Sequence, residues 1–281
     1  MLSETRPAKK GNFMPIQLCA LILLGWLAMT SHASADNIRL YAAGSLKAAM
    51  TDVATAFEAS TNGVHRVELI FGASGLLRER IEKGETAHVF ASADTGHPKR
   101  LEAQGKVVAP AAVFARNQLC ALVQEGLTVT SASLLDVMLD PRTRLGTSTP
   151  KADPSGDYAY ALFAKADAVR AGAKAALEAK AQQLTGGPAS EKAPDGKNLY
   201  GWVMASNKAD VFLTYCTNAV LAKAEVPSLG IVEIPGTLNV GADYGLVVLT
   251  GGPPAAAELA SFIRGSAGRT VLARYGFGAG D

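Results

Sequence analysis

The 281-residue sequence has few aromatics, few cysteines and almost no net charge, and each shortage excludes a class of protein. The small surplus of Lys and Arg over Asp and Glu lies within the first thirty-five residues, so the remainder is formally neutral. A neutral chain has no excess of cations to neutralise phosphates, which argues against nucleic-acid binding. The three cysteines and four histidines form no spacing typical of a metal site.

The sequence also lacks an apolar run long enough to cross a membrane. The run at residues 14–29 has 16 residues, fewer than the roughly 20 that a transmembrane helix needs. Three basic residues precede this run, namely Arg6, Lys9 and Lys10. Small residues follow it at 33–35, so we predict a signal peptide over residues 1–35 that is cleaved before Asp36. An uncleaved membrane anchor is the alternative.

Two cysteines, Cys120 and Cys216, remain after this segment. The oxidising compartment to which a signal peptide leads permits a disulfide between them. Both also lie in apolar runs typical of buried strands, where two inert thiols would fit equally well. The sequence leaves both alternatives open.

What the rest of the chain does contain is an alternation of strand-like and helix-like segments, typical of α/β folds with parallel strands. The predicted strands cover residues 38–43, 64–71, 89–92, 118–123, 211–215 and 244–249. The predicted helices cover residues 45–60, 75–83, 97–104, 158–183 and 254–274. We expect a loop at 186–197, a flexible tail at 276–280, and two domains joined by short crossings.

Three predicted helices begin with small residues. Their first residues are Gly44-Ser45-Leu46, Gly72-Ala73-Ser74-Gly75 and Asp153-Pro154-Ser155-Gly156. The first N–H groups of a helix lack intrahelical partners and lie at the positive end of its dipole. Several such helix starts at one sheet edge would bind an anion without Lys or Arg. The alternative is that the three serines only cap their helices.

These motifs resemble those of the periplasmic molybdate-binding proteins of ABC transporters. The similar stretches are AAGSL at 42–46, FGASGL at 71–76, IEKG at 81–84, VFASAD at 89–94, PSGDYA at 154–159, residues 211–219 and LARYGF at 272–277. The resemblance implies the bilobal type II periplasmic binding fold, with two α/β lobes, mixed sheets and hinge crossings. Residues 36–115 and 235–281 would form lobe 1, and residues 116–234 lobe 2.

The resemblance also implies a function. Ser45 and Ser74 would donate hydrogen bonds to a molybdate or tungstate ion through hydroxyl and N–H groups, Ser155 and Leu199 through N–H groups, and Tyr215 through its hydroxyl. Molybdenum would enter only as the bound oxyanion, without a cofactor or a direct protein ligand. The protein would be a monomeric periplasmic receptor, not an enzyme, and would deliver its ligand to an ABC permease and its ATPase.

Two features depart from the family pattern. Asp153 and Asp157 flank the third helix start, where a carboxylate would repel a dianion. We expect both side chains to point away from the site; otherwise the ligand differs, or Asp153 contacts the metal, as its Asp-Pro-x-Gly resemblance to the tungstate-binding group implies. The long stretch at 184–197 is the second departure.

Two other functions stay open beside this hypothesis. The same fold could bind a different oxyanion or a small organic acid, although we can place no arginine at the cleft to grip a carboxylate. An exported serine hydrolase would use Ser74 as its nucleophile. For a hydrolase the G-x-S-x-G spacing fails, and no histidine follows His97. The sequence contains no nucleotide-binding glycine motif, and it does not separate molybdate from tungstate.

Overall fold

The structure is a computed structural model that describes residues 1–5, 8 and 36–280. The core of the predicted signal peptide therefore lies outside the described residues. Residues 36–280 belong to one compact unit, to which everything below refers. No helix in the described part of the chain is long and apolar enough to cross a membrane.

Residues 36–280 contain ten strands and ten α-helices. The strands are β1 (Asn37–Ala43), β2 (Arg66–Gly72), β3 (Val89–Ser92), β4 (Ala112–Val123), β5 (Leu145–Ser148), β6 (Gln182–Thr185), β7 (Val211–Tyr215), β8 (Gly230–Glu233), β9 (Gly241–Val248) and β10 (Gly278–Ala279). The helices are α1 (Lys47–Ser60), α2 (Ser74–Glu82), α3 (Gly96–Ala103), α4 (Leu134–Leu139), α5 (Pro154–Val169), α6 (Ala173–Lys180), α7 (Leu199–Ala205), α8 (Cys216–Glu225), α9 (Ala255–Arg264) and α10 (Ser266–Arg274). A short 3₁₀ helix, Gly44–Leu46, precedes α1.

The strands form one mixed sheet in the order β2-β1-β3-β9-β4-β7-β5-β6, and β8 and β10 also pair with β4. Residues 112–118 of β4 pair with β9, and residues 119–123 pair with β7. We call β1, β2, β3 and β9 the first half-sheet and β5, β6, β7 and β8 the second half-sheet. Because β4 belongs to both, one long strand connects them.

Strand β1 shows why the apolar runs of this sequence form central strands. Leu40 and Ala42 belong to one buried cluster, with side chains of α1 and α9. Tyr41 faces the opposite cluster, with Phe90 of β3 and side chains of α2 and α3. Successive residues of a strand point to opposite faces, so a parallel strand covered by helices on both sides is apolar throughout.

The predicted strands at 89–92 and 211–215 are confirmed residue for residue as β3 and β7. The single helix predicted at 158–183 is wrong. It breaks between α5 and α6, where Gly172 adopts a left-handed φ of 82°. Residues 182–185 then form β6, paired in parallel with β5, because pairing at the sheet edge overrides the helix propensity of the preceding alanines.

The flexible tail predicted at 276–280 is also wrong. Gly278 and Ala279 form β10, which pairs antiparallel with Arg116 and Ala115 of β4. The segment is held by this backbone pairing and by the Arg116 side chain, whose Nη1 donates to the Ala279 carbonyl at 3.0 Å, so its glycine-rich composition was misleading. A Cβ atom at Gly280 would lie 2.5 Å from the backbone of Phe114, so the close approach requires glycine there.

Cys120 and Cys216 form a disulfide with an S–S distance of 2.02 Å. Cys120 lies in β4, and Cys216 is the first residue of α8, directly after Tyr215 at the end of β7. Of the two alternatives that the sequence left open, the structure therefore contains the disulfide and not two free thiols. The bridge connects the shared strand β4 to the β7–α8 junction.

Candidate functional site

A cavity of about 760 Å³ lies where the chain leaves β1, β2 and β7 and where α7 begins. Parallel strands present their carboxyl ends, and the helix starts that follow them, at one edge of a sheet, which is where α/β proteins bind ligands. The stretch 184–197, predicted as a departure from the family pattern, contributes Gly186, Gly196 and Lys197 to the cavity wall.

Ser45 and Ser74 both line the cavity from the first half-sheet. The Ser45 Oγ lies 3.0 Å from the Tyr244 hydroxyl. The Ser74 Oγ accepts the N–H of Ala93 at 3.1 Å, which leaves the hydroxyl proton of Ser74 for donation. Helix α2 begins at Ser74 after Ala73, whose methyl side chain cannot cap the first N–H groups.

Tyr215 lines the same cavity from the second half-sheet, and only 1% of its surface is exposed. Its hydroxyl donates to the carbonyl of Ala93 at 3.3 Å, so Ala93 connects Tyr215 with Ser74. The rings of Tyr215 and Tyr244 lie 5.5 Å apart. Burial raises the pKa of both phenols, so both hydroxyls keep their protons at neutral pH, and the Tyr215 proton is directed at the Ala93 carbonyl.

Of the two predicted backbone donors, the structure brings one to the cavity. Leu199, the first residue of α7, lies against it, and Asn198 caps that helix through the N–H of Gly201 at 2.9 Å. Ser155 is fully buried and is not among the described residues that line the cavity. Four of the five predicted ligand residues thus share one cavity, and their role as ligands stays a prediction.

The expectation that Asp153 and Asp157 point away from the site is wrong for Asp153. Asp157 is exposed and accepts the N–H of Lys151, whereas Asp153 lines the cavity. The reason is helix capping, because Asp153 is the N-cap of α5 and its Oδ1 accepts the Ser155 N–H at 3.1 Å. The Asp153 carboxylate therefore accepts the Ser155 N–H group that was predicted to donate to the ligand.

Burial raises the pKa of the Asp153 carboxyl to about 6, while the Ser155 N–H and the Ser148 hydroxyl act in the opposite direction. Gly186 packs closely against this carboxylate, since a Cβ atom there would lie 2.4 Å from Oδ2. The Ser155 hydroxyl oxygen, by contrast, has no hydrogen-bond partner among the described residues.

The other charged residues that line the cavity are Lys47, Asp52, Lys197 and Glu225. Lys197 Nζ lies 3.8 Å from Glu225 Oε1, and Asp52 accepts the Tyr275 hydroxyl at 2.8 Å. Within the described part of the chain, no arginine or histidine lines the cavity, and no group of three His, Cys, Asp or Glu residues could hold a metal ion. The cavity therefore offers mainly neutral donors.

The backbones on the two sides of the cavity touch at Gly75. Its N–H donates to the carbonyl of Ala152 at 2.8 Å. A Cβ atom at Gly75 would lie 2.4 Å from the carbonyl oxygen of Lys151 and 2.7 Å from that of Ala152. Only glycine fits between α2 and the loop before α5 in this arrangement.

Sequence reasoning missed Tyr244, which holds Ser45 in place. Tyr244 is fully buried, and its hydroxyl also accepts from Asn117 Nδ2 at 3.3 Å. The sequence feature that could have indicated Tyr244 is its place at the start of a predicted apolar strand, since a buried phenol hydroxyl needs a polar partner.

The chain matches the family model described as bacterial extracellular solute-binding protein over residues 38–278. It is 38% identical over 186 residues to an uncharacterised protein of Pasteurella multocida, covering 66% of this chain and 76% of that one. It is 26% identical over 270 residues to the molybdate-binding protein ModA of Mycobacterium tuberculosis, covering 92% and 94%. The predicted resemblance to molybdate-binding proteins is confirmed at this level of similarity.

Two solved structures have a similar fold. The sulfate-binding protein SubI of Mycobacterium tuberculosis matches with a TM-score of 0.68 at 20% identity, covering 86% of both chains. The periplasmic molybdate-binding protein of Azotobacter vinelandii matches with a TM-score of 0.67 at 18% identity, covering 85% of this chain and 98% of that one. These matches confirm the predicted fold class, a mixed α/β periplasmic binding fold of type II.

Proposed function

Because this chain belongs to the family of bacterial extracellular solute-binding proteins, we propose that it captures molybdate or tungstate in the cavity between its half-sheets. It works in the periplasm as a monomeric receptor and delivers the ion to an ABC permease and its ATPase. It carries out no chemistry on the ion. The serine hydrolase alternative has no support, since no histidine in the described part of the chain lines the cavity beside Ser74.

The observation that carries the proposal is the convergence of neutral donors. The hydroxyls of Ser45 and Ser74 and the first turns of α2 and α7 border one cavity. The Tyr215 hydroxyl lies beside them, with its proton directed at the Ala93 carbonyl. A hydrogen bond to a charged group contributes about 1.5–3 kcal/mol net. Several such bonds, less the cost of closing and ordering the site, correspond to micromolar to nanomolar affinity.

We extend the proposal to the motion of the protein. Residues 36–115 with 235–281 and residues 116–234 act as two lobes that close on the ion by hinge bending. The contacts of Tyr215 with Ala93 and of Gly75 with Ala152 join residues from opposite lobes. Since these contacts form only when the lobes meet, ligand binding and closure stabilise each other.

The proposal is tested by calorimetric titration of the purified protein with molybdate, tungstate and sulfate. We expect tight binding of molybdate or tungstate and weaker binding of sulfate. Replacing Ser74 with alanine should weaken the binding of the metal oxyanion roughly 10- to 30-fold, because one charge-assisted donor is lost. Ser261→Ala is the matched control, since that exposed serine bonds only within α9. No binding of either metal oxyanion would overturn the proposal.

A second prediction concerns the support of Ser45. Tyr244→Phe removes the hydroxyl that lies 3.0 Å from the Ser45 Oγ and leaves the ring packing in place. We expect molybdate affinity to fall roughly 3- to 10-fold, the size of one neutral hydrogen bond. Tyr160→Phe is the control, because its hydroxyl contacts Gln183 outside the cavity. Equal affinities of the two variants would contradict the assigned role of Tyr244.

The size of the cavity favours one second candidate. Its volume of about 760 Å³ lies within the range of roughly 300–1,000 Å³ found for pockets of drug-sized ligands, well above the needs of a four-oxygen ion. An anion that carries a small organic group would reach toward Lys47 and Lys197. Displacement of molybdate by small organic phosphates or carboxylates, but not by sulfate, would favour this candidate.

A further inference from the structure

Asp153 places a carboxylate in a cavity that otherwise suits an anion. Its Oδ1 accepts the Ser155 N–H, and its Oδ2 lies beside Gly186, another residue of the cavity wall. A dianion bound among Ser45, Ser74 and Tyr215 would share this cavity with the carboxylate. Two negative charges close together in a partly desolvated site repel each other strongly.

Several polar groups interact with Asp153, and the two cations that line the cavity, Lys47 and Lys197, are not among the groups that act on its carboxyl. The residues around Asp153 are Ser148 of β5, Ser155 and Asp157 of α5, Gly186 after β6, Tyr200 of α7, Tyr215 of β7 and Tyr244 of β9. Asp157 acts against ionisation of Asp153, since a like charge disfavours the charged form. Lys197, which also lines the cavity, lies 3.8 Å from Glu225.

We propose that the receptor takes up one proton on Asp153 when a doubly charged oxyanion enters the cavity. The inference rests on the proposed function, because it needs an oxyanion in this site. The proton comes from solvent and forms an O–H bond at Oδ2, while Oδ1 continues to accept the Ser155 N–H. The carboxyl is then neutral, and it can donate a hydrogen bond to an oxygen of the ligand where the carboxylate would repel it.

The direction of the pH dependence follows from the position of the carboxyl. Burial raises the pKa of Asp153 to about 6 in the empty site, and a bound dianion raises it further. Well below pH 6 the carboxyl is already protonated in the empty site, so affinity changes little with pH there. Above pH 6 the affinity falls by up to about tenfold per pH unit, until the pH exceeds the pKa of the complex.

The test is titration of the full protein with molybdate between pH 5.5 and 8.5, in buffers that differ in their heat of ionisation. We expect close to one proton taken up per bound ion near pH 7.5, and a dissociation constant that rises steadily above pH 6. Asp153→Asn keeps the helix cap, because an asparagine oxygen also accepts the Ser155 N–H. This variant should bind without proton uptake, with an affinity independent of pH and higher than wild type at pH 8.

Asp167→Asn is the matched control, since this exposed carboxylate of α5 lies outside the cavity and is not among the groups that act on Asp153, and it should keep the proton uptake of wild type. Wild-type binding that takes up no proton and does not vary with pH would overturn the inference and leave the proposed function intact. Weaker binding by Asp153→Asn at every pH would overturn it too, because the carboxylate would then contact the ion directly. Absence of binding by wild type and Asp153→Asn alike would overturn the proposed function and this inference together.

Discussion

Replacing Gly75 with valine is expected to weaken molybdate binding on the order of 100-fold and to leave the stability of the ligand-free protein nearly unchanged. A Cβ atom at this position would lie 2.4 Å from the Lys151 carbonyl oxygen. Backbone atoms cannot move aside as a flexible side chain can, so α2 and the loop before α5 must separate. Overpacking of this kind costs about 1–3 kcal/mol, and sometimes more.

The separation would also break the hydrogen bond from Gly75 N–H to the Ala152 carbonyl. Calorimetric titration measures the affinity, and thermal unfolding without ligand measures the stability. Gly236→Val is the matched control, because a Cβ atom there would meet nothing within 4 Å. Wild-type affinity in Gly75→Val would show that this contact plays no part in closure on the ion.

Loss of the Cys120–Cys216 disulfide is expected to lower the free energy of unfolding by about 2–5 kcal/mol. The two cysteines are 96 residues apart in sequence, so the bridge restricts a large part of the unfolded chain. The double variant Cys120→Ser, Cys216→Ser should unfold at lower urea concentration than the oxidised protein. Reduced wild type should unfold like the double variant.

The control for this experiment is reductant added to the double variant, which has no bridge to lose and should be unaffected. Molybdate affinity should fall as well, since Cys216 directly follows Tyr215 at the β7–α8 junction. If oxidised and reduced wild type unfold at the same urea concentration, the bridge does not stabilise the fold.

The parts of the fold that could be predicted from sequence are those that local pattern determines. Strands β3 and β7 are short apolar runs between polar segments, and burial on both faces explains their composition. Strands β6 and β10 could not be found in this way. Their formation depends on backbone pairing with β5 and β4, which leaves little trace in the residues themselves.

The same distinction applies to the site. Ser45 and Ser74 could be located because each is the second residue after the end of a strand and lies at a helix start. Tyr244 was missed because its contact with Ser45 joins residues 199 positions apart. The orientation of Asp153 was misjudged because its carboxylate and a ligand compete for the Ser155 N–H group. The Asp153 side chain, two residues away, accepts that N–H without any ligand.

The shared strand β4 has a mechanical consequence. Its residue Gln118 pairs with Gly241 of β9, and the next residue, Leu119, pairs with Tyr215 of β7. Cys120, one position further, is covalently joined to the residue after Tyr215. The far end of the strand and the tyrosine are therefore held together both by backbone pairing and by the covalent bridge. Because peptide bonds do not rotate, we expect any opening to be taken up by the φ and ψ angles of β4 near the point where it changes partners.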